Sequence, residues 1–180
     1  MEFNVSQLLM EASGSSRSFA IKDEPIEFAG GYQPAPFSGK VKLVKTESGV
    51  WISASLDTYA ECSCSRCLTE CREPVHIEME EEALMTVDPY TGRRVDETLE
   101  NADVVLIDQN HILDISEAVM QYFVAGVPMK PVCKAGCLGI CQKCGTNRNE
   151  RECDCDKVVR DSQWGPLLDL APTLNLREAE

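Results

Sequence analysis

Six of the ten cysteines in this 180-residue chain lie between Cys133 and Cys155, interleaved with Gly136, Gly139 and Gly145. A segment so poor in apolar side chains cannot bury enough surface to offset its ordering entropy, so something other than a hydrophobic core must hold it. Disulfides or a metal are the two chemistries that do this. Met1-Glu2-Phe3-Asn4 has no basic stretch, and Leu8-Leu9-Met10 is too short for the apolar part of a signal peptide, so a cytoplasmic location is expected. Thiols stay reduced there, which favours metal ligation over disulfides.

The spacing agrees with metal. Cys141-x2-Cys144 is followed after eight residues by Cys153-x-Cys155, two short chelating pairs separated by a polar turn. Four thiolates close a tetrahedron around zinc. Gly145 suits a knuckle, since glycine accepts the positive φ that turns backbone N–H groups toward sulfur. One structural zinc per chain is expected on Cys141, Cys144, Cys153 and Cys155, with Cys133-x3-Cys137 able to replace a pair or to join a second site. Cys64-Ser-Arg-Cys67 is a further candidate pair. It falls between two strand patterns rather than at a helix start, which argues against a thioredoxin-like dithiol. Metal ligation and plain turn structure stay equally open there, as they do for Cys62 and Cys71.

The remaining chain is long enough for one core. Phe37 to Lys45 and Val50 to Cys62 read as strands joined at Ser48-Gly49, the second placing Val50, Ile52, Ala54, Leu56, Ala60 and Cys62 on one face. A third strand runs from Val75 to Met85, antiparallel to the second. Asp88 to Asn101 reads as a mobile loop, and Asp103 to Asp108 as a short strand. Asn4 or Ser6 caps a short helix over Leu8 to Met10. Asp114-Ile115-Ser116-Glu117 has a capping-box pattern ahead of a helix ending at Gly126. The expected class is α+β, a mainly antiparallel sheet with short helices and a small zinc-knuckle-like C-terminal module. The expected boundaries are 1–127 for the core, 128–160 for the cysteine-rich module and 161–180 for a short helix and tail. No internal repeat is evident.

Catalytic signatures are missing. There is no Ser/His/Asp grouping, phosphate loop or dinucleotide turn, and His76 and His111 both read as surface residues. A net charge of −13 argues against coating of nucleic acid. Lys130 to Arg160 holds seven basic and four acidic side chains, a small excess that a four-thiolate zinc would nearly cancel. Glu80-Glu81-Glu82 is the densest acidic run of the core and reads as a solvated strand end.

Several segments together resemble a known family. These are Asn4-Val5-Ser6-Gln7-Leu8-Leu9 followed by Gly14-Ser15-Ser16-Arg17, Cys64-Ser-Arg-Cys67-Leu68, Gly126-Val127-Pro128-Met129-Lys130-Pro131, and Cys137-Leu-Gly-Ile-Cys141-Gln-Lys-Cys144-Gly145-Thr146-Asn147 leading to Cys153-Asp-Cys155. In this order they are similar to the YceD family of large ribosomal RNA subunit accumulation proteins, over nearly the whole chain, including a closing helix near Asp161 to Leu170. Asn147-Arg148-Asn149 departs from the Asn-Leu-Asn usual there. The resemblance implies a role in 23S ribosomal RNA accumulation or processing and hence in large-subunit assembly, and it brings no catalytic residues; the leading expectation is a non-enzymatic factor that binds a ribosomal protein of that subunit or precursor 23S rRNA. A zinc-thiol redox sensor, oxidised at Cys64 and Cys67 or at Cys153 and Cys155, is the alternative, and a ribonuclease is the weakest reading.

Overall fold

Alternation of apolar and polar residues marks the longest strands of a single sheet. The computed structural model describes residues 1–26, 35–95 and 104–155. Its elements are β1 (Glu2–Asn4), α1 (Ser6–Leu9), β2 (Ser16–Glu24), β3 (Phe37–Lys45), β4 (Gly49–Ser63), β5 (Glu70–Met85), β6 (Val105–Ile107), β7 (Ile112–Asp114) and α2 (Ser116–Gly126). Among the described residues, the seven strands lie in the order β1-β7-β6-β5-β4-β3-β2. All pairings are antiparallel except β5 with β6, which is parallel. The class is the expected one. Two units are distinguished, Met1–Cys137, which contains the sheet, and Leu138–Glu180. Cys133 and Cys137 fall in the first unit.

The β4/β5 hairpin dominates that unit, pairing without interruption from Gly49↔Leu84 to Ser63↔Glu70. Val50, Ile52, Ala54, Leu56 and Ala60 are buried on one face, against Val75, Ile77, Met79 and Ala83 of β5. Each larger aliphatic chain buried here is worth about 1.5–3 kcal/mol. Gly49 is required where the ribbon begins, because a Cβ there would collide with the Ala83 carbonyl oxygen. Strand β5 starts five residues before the expected Val75, since pairing with β4 carries it through the charged Glu70-Cys71-Arg72-Glu73.

Helix α2 packs on the inner face of β5 through Val119, Met120 and Phe123, and Phe123 meets Phe37 edge-on at 6.1 Å. Its start departs from the capping box. The Asp114 carboxylate accepts the Ser116 N–H at 2.9 Å and the Ser116 hydroxyl at 2.6 Å. Asn4 holds Ser6 the same way at the start of α1, at 3.1 and 2.6 Å. The strands β1, β2 and β7 were not anticipated. β1 and β7 have three residues each, and β2 alternates only around Phe19 and Ile21, so neither length nor pattern marks them. The expected loop from Asp88 begins with a tight turn whose N–H groups at Tyr90 and Thr91 point to the Asp88 carboxylate. Its later part and the helix expected at 161–170 lie outside the described residues.

Candidate metal centres

Both Cys-x2-Cys segments fold into the same six-residue turn. In Cys64-Ser-Arg-Cys67-Leu68-Thr69, the Leu68 N–H donates to the Cys64 carbonyl (2.9 Å) and the Cys64 N–H to the Thr69 carbonyl (2.9 Å). In Cys141-Gln-Lys-Cys144-Gly145-Thr146 the matching bonds are Gly145 to Cys141 and Cys141 to Thr146, both 2.8 Å. The second sulfur lies beside the threonine hydroxyl in each, at 3.4 Å for Cys67 and Thr69 and 3.2 Å for Cys144 and Thr146. The residue after the second cysteine takes positive φ in both, +61° at Leu68 and +71° at Gly145. A short internal repeat is therefore present where the sequence shows none. Only the cysteines and threonine match outright, and Leu68 stands where a left-handed residue is expected to be glycine.

Each turn contributes two thiols to a set of four. Cys64, Cys67, Cys133 and Cys137 form one set, and Cys141, Cys144, Cys153 and Cys155 the other, with all sulfurs of a set within 4.8 Å of one another. The second is the set expected from spacing. The residues held as alternates make a separate set of their own, so the chain offers two four-thiol sites where one zinc was expected. In the first, Cys64 and Cys137 are 3.8 Å apart and Cys67 and Cys133 3.6 Å. A tetrahedron with metal–sulfur bonds of about 2.3 Å has edges of about 3.8 Å, so the spacing fits a bound ion.

The segment carrying Cys133 and Cys137 is tied to the hairpin end by other bonds. The Ser65 N–H donates to the Pro131 carbonyl (2.8 Å), the Val132 N–H to the Glu73 carboxylate (3.1 Å), and the Arg66 guanidinium to the Cys137 carbonyl (3.2 Å). Cys64, Cys67 and Cys137 are buried, with Cys71 and Val132 packed against them. In the smaller unit, Ile140 and Asn147 form an isolated bridge, and the Arg148 N–H donates to the Gly139 carbonyl. The Arg148 side chain is exposed, so its departure from the family pattern leaves this packing undisturbed.

The thiols of each set titrate against one another. Cys64 is brought down to about 6, first by the Cys133 N–H and then by the N–H groups of Arg66 and Cys67, which outweigh burial. Cys133 is pushed up to about 12 by the Cys67 sulfur, burial, and the sulfurs of Cys137 and Cys64. In the other set, the Thr146 hydroxyl and N–H bring Cys144 down to about 6, while the Cys144 sulfur and burial push Cys155 up to about 12. Cys141 is lowered by the N–H groups of Cys144 and Lys143. Cys153 is raised, because the sulfurs of Cys141 and Cys144 and burial together outweigh the Cys155 N–H. One thiolate forms readily and its charge opposes the last, so a cation at the centre is what lets all four ionise.

Cys62 and Cys71 belong to neither set. They face each other across the hairpin with sulfurs 3.4 Å apart. His76 is exposed as expected, but it is bonded on both ring nitrogens, to Asp57 and Glu78 at 2.8 Å each. His111 occupies a turn with φ of +60°. The acidic run at residues 80–82 is divided by the pleat. Glu80 and Glu82 fall on the outer face with Glu78, whereas Glu81 turns inward and accepts the Tyr122 hydroxyl at 2.9 Å.

The sequence profile described as Large ribosomal RNA subunit accumulation protein YceD matches residues 52–171, more than half the chain, and spans both Cys-x2-Cys turns. The chain belongs to the YceD family. Among its YceD relatives, the chloroplastic Large ribosomal RNA subunit accumulation protein YCED homolog 1 of Arabidopsis thaliana is 33% identical over 66 residues, 37% of this chain and 21% of that protein. An uncharacterised protein of Mycobacterium tuberculosis is 26% identical over 131 residues, 72% of this chain and 59% of its own length. One from Mycobacterium leprae is 25% identical over 140 residues, 77% and 61% respectively. The chain thus spans about three fifths of the mycobacterial proteins and a fifth of the plant one. No solved structure matches it.

Proposed function

We propose that this YceD protein is a non-enzymatic cytoplasmic factor for 23S ribosomal RNA accumulation and large-subunit assembly, and that it works by binding a basic ribosomal protein. Family membership over residues 52–171 carries the ribosomal part of this reading. The choice of partner rests on charge. The net charge of −13 disfavours a phosphate backbone and favours a lysine- and arginine-rich protein segment. The outer face of β5 supplies a row for such a segment, with Glu78, Glu80 and Glu82 at alternate positions, about 6.8 Å apart along the strand. On β4, Trp51 is exposed directly opposite Glu82, giving apolar surface next to the acid row.

Both four-thiol sets are read as structural zinc sites. Thiolate-only donors at tetrahedral spacing select zinc among divalent ions that are not redox-active. The metal offsets half of the four thiolate charges and fixes each turn, and no catalytic step passes through it.

A deletion strain tests the reading. Mature 23S RNA is expected to fall and large-subunit precursors to rise, and gentle affinity purification is expected to bring down a basic large-subunit protein that dissociates as salt rises. Reversing Glu78, Glu80 and Glu82 to lysine should abolish that capture, while reversing the inward Glu81 should not reproduce the loss through charge. Unchanged 23S levels, or capture of RNA insensitive to these reversals, would overturn the proposal.

A further inference from the structure

Eight of the ten thiols are gathered into the two sets, and the remaining pair is placed for a different chemistry. Cys62 and Cys71 are direct cross-strand partners in the β4/β5 register. Directly opposed residues of an antiparallel pair have Cα atoms about 4.5–5.5 Å apart, inside the range a disulfide spans without backbone movement. Their sulfurs are already in contact at 3.4 Å, and Cys62 Sγ is also 3.5 Å from the Cys71 carbonyl oxygen. Both residues are half-buried, and an open cleft lined by Glu61, Cys62, Ser63, Glu70, Cys71 and Arg72 gives small molecules a route to them. A thiol pair inside a metal set would be sheltered by its ion. This one has no such shelter.

We propose that Cys62 and Cys71 form a redox-active dithiol that closes to a cross-strand disulfide on meeting a low-molecular-weight disulfide, while the other eight thiols stay in their two sets. One thiolate of the pair attacks the external disulfide, forming a mixed disulfide and releasing one small thiolate. The partner thiolate then attacks the protein sulfur of that bond, forming Cys62–Cys71 and releasing the second small thiolate. Two electrons pass from the protein to the external disulfide, and the two protons lost by the cysteines end on the two small thiols. The new bond crosses the ribbon one rung before Ser63↔Glu70, the last pair ahead of the Cys64–Cys67 turn. It therefore fastens the strands that present half of the first set. This chemistry is distinct from oxidation of Cys64 with Cys67, or of Cys153 with Cys155, which would remove ligands.

The test treats the full-length protein, with its metal content measured beforehand, with oxidised glutathione, then alkylates it and maps the cysteines by mass spectrometry. The expected product has lost two hydrogens, contains a Cys62–Cys71 linked peptide at about one disulfide per chain, reopens with reduced glutathione and releases no metal to a chromogenic chelator. Cys62→Ser and Cys71→Ser should each stop at a glutathione adduct on the remaining cysteine. A wild-type pair that stays reduced, a stable adduct in place of ring closure, or bonds involving Cys64, Cys67, Cys133 or Cys137 with metal release would each overturn the proposal. Because metal is counted separately, an error in the metal reading is distinguishable from an error in this one.

Discussion

Cys64 and Cys67 sit at the end of a two-stranded ribbon whose other end is the hydrophobic core, whereas Cys141 and Cys144 lie in a unit whose described residues form no more than one isolated bridge. The turns are the same in hydrogen bonding, in the threonine beside the second sulfur and in positive φ. Their settings differ. Three of the four sulfurs of the first set belong to buried residues, and none of the second do. One thiol knuckle can thus serve as a clasp added to an existing fold or as the centre of a fold that has little else.

Loss of a ligand from the second set should produce the largest effect. Structural zinc is worth about 10–16 kcal/mol, the whole stability of a small unit. In Cys144→Ser, amide protection at Cys141, Gly145 and Arg148 should vanish while Val50 to Met79 keep theirs by hydrogen exchange. Equal loss in both places would erase the contrast. Cys64→Ser should do less, costing about 3 kcal/mol. Protection should fall between Tyr59 and Glu73 and survive at Ile52, Leu56 and Ile77, where burial holds the strands.

Acidification sharpens the comparison from the side of the ligands. Cys64 and Cys144 ionise at about 6 in the folded chain, below the 8.5 of an unperturbed thiol. A lowered folded value contributes stability above the unfolded one and loses it as pH falls through the folded one. Metal bound at either set should be released as falling pH protonates its thiolates, read with a chromogenic chelator. The buried first set should empty more slowly than the second. The smallest effects are expected at the positive-φ positions. Gly145→Ala should cost about 1 kcal/mol and Leu68→Gly should gain up to about 1 kcal/mol in denaturant titrations, since leucine carries the left-handed strain that glycine avoids.

The same contrast explains what could be read from the sequence. Cys141, Cys144, Cys153 and Cys155 lie within fifteen residues, so spacing alone assembles them. The first set draws Cys133 and Cys137 to Cys64 and Cys67 across β5, β6, β7 and α2, and no local pattern predicts that closure. The β4 alternation was plain because the strand buries one continuous face. β2 was hidden because its inward positions include only two apolar side chains. Glu81 looked like part of an acidic patch until the pleat assigned it to the opposite side from its neighbours.

The sequence distance between ligands also sets an order of events. The second set is complete within a stretch that closes as a small loop, at little entropic cost and with no need of the sheet. The first must wait until β4, β5 and α2 have met, since only then does the segment after α2 reach the hairpin end. If the sets take metal as proposed, loading of the first would report that the sheet has been built, and a chain carrying metal only at the second would be one whose fold is unfinished.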